Sequence, residues 1–157
     1  MKIGSSGRYG VLALLELAVR DTDDPVPLAD IAGALGVSVS YLEQIFVRLR
    51  RSGLVVGLRG PGGGYRLARE PDRLTVGEII AAAEGPPQAA SVAKGSRMPR
   101  THLLAAGLWE ELSREISRFL HGITLAQFSA RPSVQARARA ARSRSDGRGP
   151  EVLSFRK

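Results

Sequence analysis

The sequence predicts a mainly α-helical fold with a small β-hairpin wing: a winged helix-turn-helix followed by a long dimerisation helix. Three observations lead to this fold class. Two short amphipathic segments are joined by a very tight turn, two strand-like segments then enclose a glycine-rich tip, and a later segment repeats apolar residues at heptad spacing.

Four helices are expected in the first half of the chain, because apolar residues recur there at helical spacing. They cover Gly7–Val19, Leu28–Leu35, Ser40–Ser52 and Thr75–Glu84. Gly36 and Gly53 are predicted to end the second and third helices, since glycine readily adopts the left-handed conformation found at helix C-termini. Two capping boxes are predicted from spacing alone, at Ser40 with Glu43 and at Thr75 with Glu78.

The wing is predicted from two short strands, Leu54–Leu58 and Gly64–Ala68. Arg59 and Arg66 supply positive charge where a wing would touch phosphates or the minor groove. The tip also carries glycines that let the backbone approach a partner, namely Gly60, Gly62 and Gly63. A flexible turn with incidental arginines is the alternative. A phosphate-binding P-loop is discounted, because no Lys-Ser or Lys-Thr pair follows these glycines.

The long helix is predicted from Ala105 onward, where apolar residues alternate at intervals of four and three. Its dimerisation seam is expected to consist of Trp109, Leu112, Ile116, Phe119 and Ile123. Packing of this seam on the chain's own domain stays open. We predict a homodimer, because helix-turn-helix proteins usually bind two half-sites related by two-fold symmetry.

These features divide the chain into four parts. Residues 1–84 form the winged helix-turn-helix domain, and 85–104 form a loop without apolar periodicity. Residues 105–130 contain the dimerisation helix and a short helix over Thr124–Phe128, and 131–157 form a basic tail that we expect to be disordered. Whether this tail only improves solubility or also contacts DNA phosphates stays open.

Positive charge is concentrated in two places along a chain of net charge +8. The stretch from Ser38 to Arg73 has a net charge of +4 and the tail has +6, whereas residues 1–37 come to −2. A phosphate-facing surface is expected to show this distribution, although a solvated helix face can show it too.

Composition excludes several kinds of site. The absence of cysteine removes disulfides, thiol nucleophiles and Cys-ligated zinc or iron-sulfur clusters. No apolar run is long enough for a membrane span and no signal peptide is visible, so we expect a cytoplasmic protein. His102 and His121 lack a nearby third ligand, so no metal site is predicted. No nucleophile clusters with a base, which argues against an enzyme.

The text of the third helix and the wing, SVSYLEQIFVRLRRSGLV and RGPGGGYRLAR, resembles the Rrf2 family of transcription regulators. The stretch LWEELSREISRFLHGITLAQF is similar, more narrowly, to the iron-sulfur cluster regulator branch of that family. The resemblance covers roughly Met1 to Pro132.

The resemblance implies a dimer whose recognition helices enter major grooves, whose wings enter the flanking minor grooves, and whose long helices cross at the interface. The resemblance implies that the DNA-contacting positions of the family correspond here to Ser38, Ser40, Tyr41, Glu43 and Gln44 on the recognition helix and to Arg59 on the wing. Gln44 can form hydrogen bonds with the edge of an adenine, and Ser40 and Tyr41 can bind phosphates. Arg59 can insert into a narrow, electronegative groove. Arg48 and the three tip glycines complete the predicted DNA-binding set.

Glu43 permits two interpretations. Its carboxylate can accept a hydrogen bond from cytosine, or it can cap its own helix. We favour the interpretation that Glu43 caps its own helix.

The resemblance also implies three cysteine ligands and one histidine ligand between the fourth helix and the dimerisation helix. This chain has no cysteine, and alignment on Leu108 and Trp109 places the histidine equivalent at Ala106, so His102 is out of step. We therefore predict that no iron-sulfur cluster and no other cofactor is bound. Two explanations for the missing cysteines stay open. The chain is either a natural family member that senses another signal or a variant from which the cysteines were removed.

The predicted function is sequence-specific binding of double-stranded operator DNA by a homodimeric transcription regulator, acting as a repressor. The alternative is a winged-helix protein-interaction module that does not bind DNA specifically, because a fold does not fix a function. The effector or partner protein is not predicted.

Overall fold

The computed structural model describes residues 3–20, 24–85 and 100–136, and in residues 100–106 only the backbone. Residues 86–99 of the predicted loop, the side chain of His102 and residues 137–157 of the predicted tail lie outside the described residues.

The elements follow the predicted fold class. They are α1 (Ser5–Arg20), α2 (Leu28–Leu35), α3 (Val39–Arg51), β1 (Val55–Leu58), β2 (Gly64–Leu67), α4 (Val76–Glu84), α5 (Arg100–His121) and α6 (Leu125–Ser129). A single turn of 3₁₀ helix, Pro71–Arg73, precedes α4. The two strands form an antiparallel hairpin, so the mainly α architecture with a small β wing is confirmed.

The core lies where α1, α3 and α4 pack together. Its largest fully buried side chains include Leu14, Ile31, Leu42, Ile45, Phe46, Leu49, Leu74, Ile79 and Leu125. The helices α1 and α4 approach closely because Gly10 has no side chain, and a Cβ there would lie 2.6 Å from the Cβ of Ala83. The face of α1 that packs into the core includes Val11, Ala13 and Leu14. Leu17 is buried, whereas Leu15 and Ala18 are only half-buried.

Two predicted helix ends are confirmed in detail. α2 has the predicted bounds, and Gly36 follows it in the left-handed region with φ of 66°. At α4 the Oγ1 atom of Thr75 accepts a hydrogen bond from the Glu78 amide at 3.2 Å. The Glu78 carboxylate accepts one from the Thr75 amide at 3.0 Å, which lowers the pKa of Glu78 below its ordinary value. Both halves of the capping box are therefore present.

The capping box predicted at Ser40 is wrong. α3 begins at Val39, and Ser38 is its N-cap, with its hydroxyl oxygen accepting a hydrogen bond from the Tyr41 amide at 3.3 Å. Val37 and Leu42 then occupy the two positions of a hydrophobic staple, and both belong to the core. Packing of Val37 against the core and burial of Leu42 favour the earlier start, which leaves Glu43 without a capping role.

The long helix is displaced from its predicted bounds. α5 begins at Arg100, inside the predicted loop, and ends at His121, so Ile123 is not on the helix. Ile123 instead packs against the core, and its carbonyl accepts a hydrogen bond from the Val76 amide at 2.9 Å. The described start of the predicted tail is also helical, over 132–136.

α6 docks the end of α5 onto the DNA-binding unit. Thr124 caps α6 in the predicted position, and the Leu125 amide donates to the Leu74 carbonyl at 2.7 Å. The Nδ1 atom of His121 donates to the Ser117 carbonyl at 2.8 Å, which gives this histidine a structural partner within its own helix. No described helix is both long and apolar enough to cross a bilayer.

Candidate nucleic-acid interface

The turn between α2 and α3 is short and fixed by the backbone. The Val37 amide donates to the Ala32 carbonyl at 3.1 Å, and Gly36 supplies the left-handed residue that reverses the chain. Ser38 then starts α3 directly. The orientation of α3 relative to α2 is therefore fixed by the backbone of this turn and does not depend on side chains of the outer face of α3.

Burial divides α3 into an inner and an outer face. The inner face consists of Leu42, Ile45, Phe46 and Leu49, which are all fully buried. The outer face, here called the recognition face, consists of Val39, Ser40, Glu43, Gln44 and Val47, which are all exposed. The side chains of Ser40, Glu43 and Gln44 have no hydrogen-bond partner among the residues that the structure describes. Three predicted site residues thus lie together with their polar groups available to a ligand.

The wing tip is a five-residue loop, 59–63, between paired strands in which Leu58 lies opposite Gly64. The Gly63 amide donates to the Gly60 carbonyl at 2.9 Å and closes the turn. Gly60 and Gly62 have φ values of 102° and 76°, a backbone conformation that favours glycine. At Gly63 the constraint is space, because a Cβ would lie 2.5 Å from the Leu58 carbonyl oxygen.

Arg59 occupies the first position of this loop and is exposed. Within the described parts of the chain its guanidinium has neither an ion pair nor a hydrogen bond. The tip therefore presents one unneutralised cation, which is what insertion into an electronegative groove requires.

Tyr65 on β2 joins the wing to both helices of the helix-turn-helix. Its ring lies edge-on to Phe46 of α3, with centroids 4.6 Å apart and an interplanar angle of 62°. Its backbone exchanges two hydrogen bonds with Val26, just before α2, at 2.9 and 2.8 Å. Gly64 allows this pairing, because a Cβ there would collide with the Val26 carbonyl. The wing and α3 are consequently held in one fixed arrangement.

Tyr41 lies at the edge of the recognition face rather than on it. Its ring is half-buried and packs edge-on against Tyr9, and its hydroxyl donates to the Ser5 hydroxyl at 3.2 Å. Hydrogen bonding to Ser5 and Ser6 lowers the pKa of Tyr41. The side chain therefore ties α3 to the first turn of α1, and its predicted phosphate contact stays a prediction.

Arg48 has a structural role at the end of α4, and its predicted DNA contact stays a prediction. Its guanidinium faces α4, where Nη1 donates to the Ala83 carbonyl at 2.7 Å and to the Glu84 carbonyl at 3.1 Å. These carbonyls belong to the last turn of α4 and have no partner within that helix. Arg48 is therefore a C-terminal cap supplied from a neighbouring helix, and Nη1 of its guanidinium is engaged in this cap.

Two arginines at the end of α3 were missed by the sequence analysis as site residues, whereas Arg66 on β2 was already expected to supply charge to the wing. Arg50 and Arg51 end α3, and Arg66 lies on β2; all three are exposed and have no ion pair among the described residues. Helical periodicity could have identified the first two, since each lies seven residues after Glu43 or Gln44 and hence on the same face. Together with Arg59 they add exposed positive charge to the end of α3 and to the wing.

Replacing Arg48 by alanine is expected to lower stability by about 1–3 kcal/mol, because two carbonyls at the end of α4 lose charged donors. Selectivity among DNA sequences is expected to remain unchanged. Thermal unfolding and competition binding with mutated duplexes measure the two effects separately. Loss of discrimination at one base pair without a drop in melting temperature would instead indicate a base contact.

The predicted dimerisation seam lies along one exposed side of α5. Trp109, Leu112 and Phe119 are 61, 43 and 67% exposed, and Leu108 beside them is 65% exposed. Ile116 is half-buried, and Ile123 has left the seam as described above. Four large apolar side chains therefore face away from the protomer on a single helix.

A family model of known proteins matches this chain over residues 3–131, nearly the whole of the described structure. That model is described as Rrf2, iron-dependent transcriptional regulator. The chain belongs to the Rrf2 family. The resemblance inferred from the recognition helix and the wing is thereby confirmed.

Individual relatives within the Rrf2 family agree with this assignment. The transcriptional regulator IscR of Aliivibrio salmonicida is 46% identical over 136 residues, which are 86% of this chain and 81% of the relative. The solved structure of T. potens IscR is 38% identical, with a TM-score of 0.65 over 82% of this chain and 85% of that one. CymR of B. subtilis, described as the global cysteine regulator, is 35% identical, with a TM-score of 0.65 over 83% and 97%. This Rrf2 protein is a DNA-binding transcription regulator.

The donor set of this Rrf2 chain does not fit a Cys-ligated iron-sulfur cluster. The sequence contains no cysteine, and thiolates are the ligands such clusters require. Among the described residues no three His, Asp or Glu side chains lie close enough together to hold a metal ion. The resemblance to cluster-binding regulators therefore extends to the DNA-binding fold and not to the ligands.

Proposed function

We propose that this Rrf2 protein binds operator DNA as a homodimer, with the recognition face of α3 in the major groove and Arg59 in the adjacent minor groove. The observation that carries the proposal is the placement of free polar side chains on α3 beside a free cation on a wing braced by Tyr65. A helix and a hairpin fixed side by side can enter neighbouring grooves of one duplex.

The major-groove contacts follow from the chemistry of the recognition face. Gln44 can donate to N7 and accept from N6 of adenine, and Glu43 can accept from N4 of cytosine. Ser40 lies near the N-terminus of α3, where amides and hydroxyl suit a phosphate or a base edge. Ser38 accepts the capping hydrogen bond from the Tyr41 amide, and its hydroxyl hydrogen can still donate to a phosphate.

The dimer rests on the exposed apolar seam of α5. Contiguous apolar surface of this kind on a single helix is typical of an interface, and the alternating spacing suits packing against a second copy of the same helix. Two copies related by a two-fold axis would present two recognition faces to the two halves of a palindromic site.

We further propose that regulation is cluster-free and takes place in the cytoplasm, where the chromosome is. Repression is the mode we favour, because a dimer that occupies a promoter can block transcription without another partner. A catalytic role is not proposed, and among the described residues no three His, Asp or Glu side chains could together hold a catalytic metal ion.

Replacing Arg59 by alanine is expected to weaken operator binding by about 10- to 100-fold, in line with about 1–3 kcal/mol for a specific charged contact. The probe is the best duplex selected by the protein from a randomised pool, and fluorescence anisotropy across a salt series gives both affinity and salt slope. Arg69→Ala is the matched control, because Arg69 already pairs with Glu78 at 3.4 Å, away from the tip. Equal affinities for R59A and the unaltered protein would contradict the proposed wing contact.

The same selection tests the alternative of a protein-interaction module. Enrichment of one sequence motif supports specific DNA binding. A pool that stays random at physiological salt, while the protein is folded and dimeric, would favour the interaction module.

A further inference from the structure

Two exposed valines lie on the recognition face where polar residues are expected. Val39 is 41% and Val47 is 38% exposed, and neither packs into the core of the protomer. Single exposed apolar residues are common on protein surfaces. These two are unusual in position, because both lie in the face that carries Ser40, Glu43 and Gln44.

The valines form a row with Glu43. Val39, Glu43 and Val47 are four residues apart, so they follow one another along one side of α3 at intervals of one turn, about 6 Å. Ser40 and Gln44 form a parallel row beside them. Glu43 is therefore flanked on both sides, along the helix axis, by branched apolar side chains.

Base edges in the major groove offer one apolar group, the C5-methyl of thymine. A valine beside a hydrogen-bonding residue can contact this methyl group while its neighbour bonds the adjacent base. Because one helical turn spans between one and two base-pair steps of about 3.4 Å, a valine one turn from Glu43 faces a base pair next to, or one beyond, the one Glu43 contacts.

Resting on the proposed DNA-binding mode, we propose that Val39 and Val47 are specificity-determining residues that contact thymine methyl groups on either side of a cytosine bonded by Glu43. The preferred half-site then contains a cytosine with thymines within two base pairs on each side. The valine side chains exclude water from the Glu43 carboxylate, which raises the penalty for any base that offers it no donor.

The experiment removes thymine methyl groups from the DNA and, separately, valine methyl groups from the protein. The best duplex selected from a randomised pool is resynthesised with deoxyuridine in place of each thymidine in turn, which deletes only the C5-methyl. Deoxyuridine at the contacted positions is expected to weaken binding by about fourfold each, the value of one buried methyl-sized group. In Val39→Ala the penalty is expected to vanish at one position, and in Val47→Ala at another.

Leu12→Ala is the matched control, because Leu12 is an equally exposed apolar residue, 42%, on α1. Its deoxyuridine penalties are expected to equal those of the unaltered protein. Thermal melts of all variants check that the fold is retained, which is expected because the substituted side chains are exposed.

Two results would overturn the inference. Either no deoxyuridine substitution near the selected cytosine weakens binding, or the penalties persist unchanged in both valine variants. In both cases specific binding of the thymine-containing duplex would still stand, so the failure of this inference is distinguishable from failure of the DNA-binding proposal. Unchanged DNA affinity together with loss of a bound partner protein in V39A or V47A would assign the row to protein docking instead.

Discussion

Replacing Trp109 and Phe119 together by glutamate is expected to convert the proposed dimer to a monomer and to weaken operator binding by at least about 100-fold. Both side chains are more than half exposed on one side of α5, and glutamates there would repel their counterparts across a two-fold axis. A monomer contacts one half-site only, and it loses the gain that comes from linking two binding events.

Analytical ultracentrifugation gives the oligomeric state, and anisotropy with full and single half-sites gives the affinities. Arg114→Glu is the control, because residue 114 is exposed on the same helix but lies about 140° around it from Trp109. A double variant that stays dimeric, or a monomer that retains full affinity for the complete site, would count against α5 as the interface.

Replacing Phe46 by alanine is expected to lower the free energy of unfolding by about 3–5 kcal/mol, since a fully buried aromatic ring is removed from a close-packed core. The effect is expected to reach the wing as well. Phe46 contacts Tyr65, so the cavity lies directly beneath β2.

Urea unfolding at a fixed protomer concentration measures this change, because dimer stability depends on concentration. Phe46→Leu is the control that keeps most of the volume, and it is expected to cost less than half as much. Proteolysis at the wing tip should accelerate in F46A and not in F46L. A loss of less than about 1 kcal/mol in F46A would show that the wing and core tolerate the cavity.

Those parts of the fold that depend on local chemistry were predictable from the sequence. α2 could be bounded because Gly36 marks its end, and α4 because Thr75 and Glu78 satisfy each other's backbone and side-chain groups within one turn. The glycines of the wing tip could likewise be identified from the sequence, since glycine adopts a positive φ without steric cost.

What the sequence could not supply depends on contacts between distant segments. Ser38 and Ser40 are both acceptable N-caps, and the packing of Val37 against the core together with the burial of Leu42 favours Ser38. Arg48 resembles its neighbours Arg50 and Arg51 in charge, yet only the position of α4 shows that it caps another helix. Ile123 continues the heptad spacing, but its pairing with Val76 takes it off the helix.

The double attachment of Tyr65 has a consequence for DNA shape. Because its ring meets α3 and its backbone pairs with the segment before α2, the distance between helix and wing is set by the protein and does not adjust to the duplex. If Arg59 enters the minor groove as proposed, the duplex would supply the fit by bending or by narrowing that groove, and the energy of doing so would depend on base pairs that no side chain touches. We therefore expect operator preference to depend also on how easily the base-pair steps between the two contacted grooves deform.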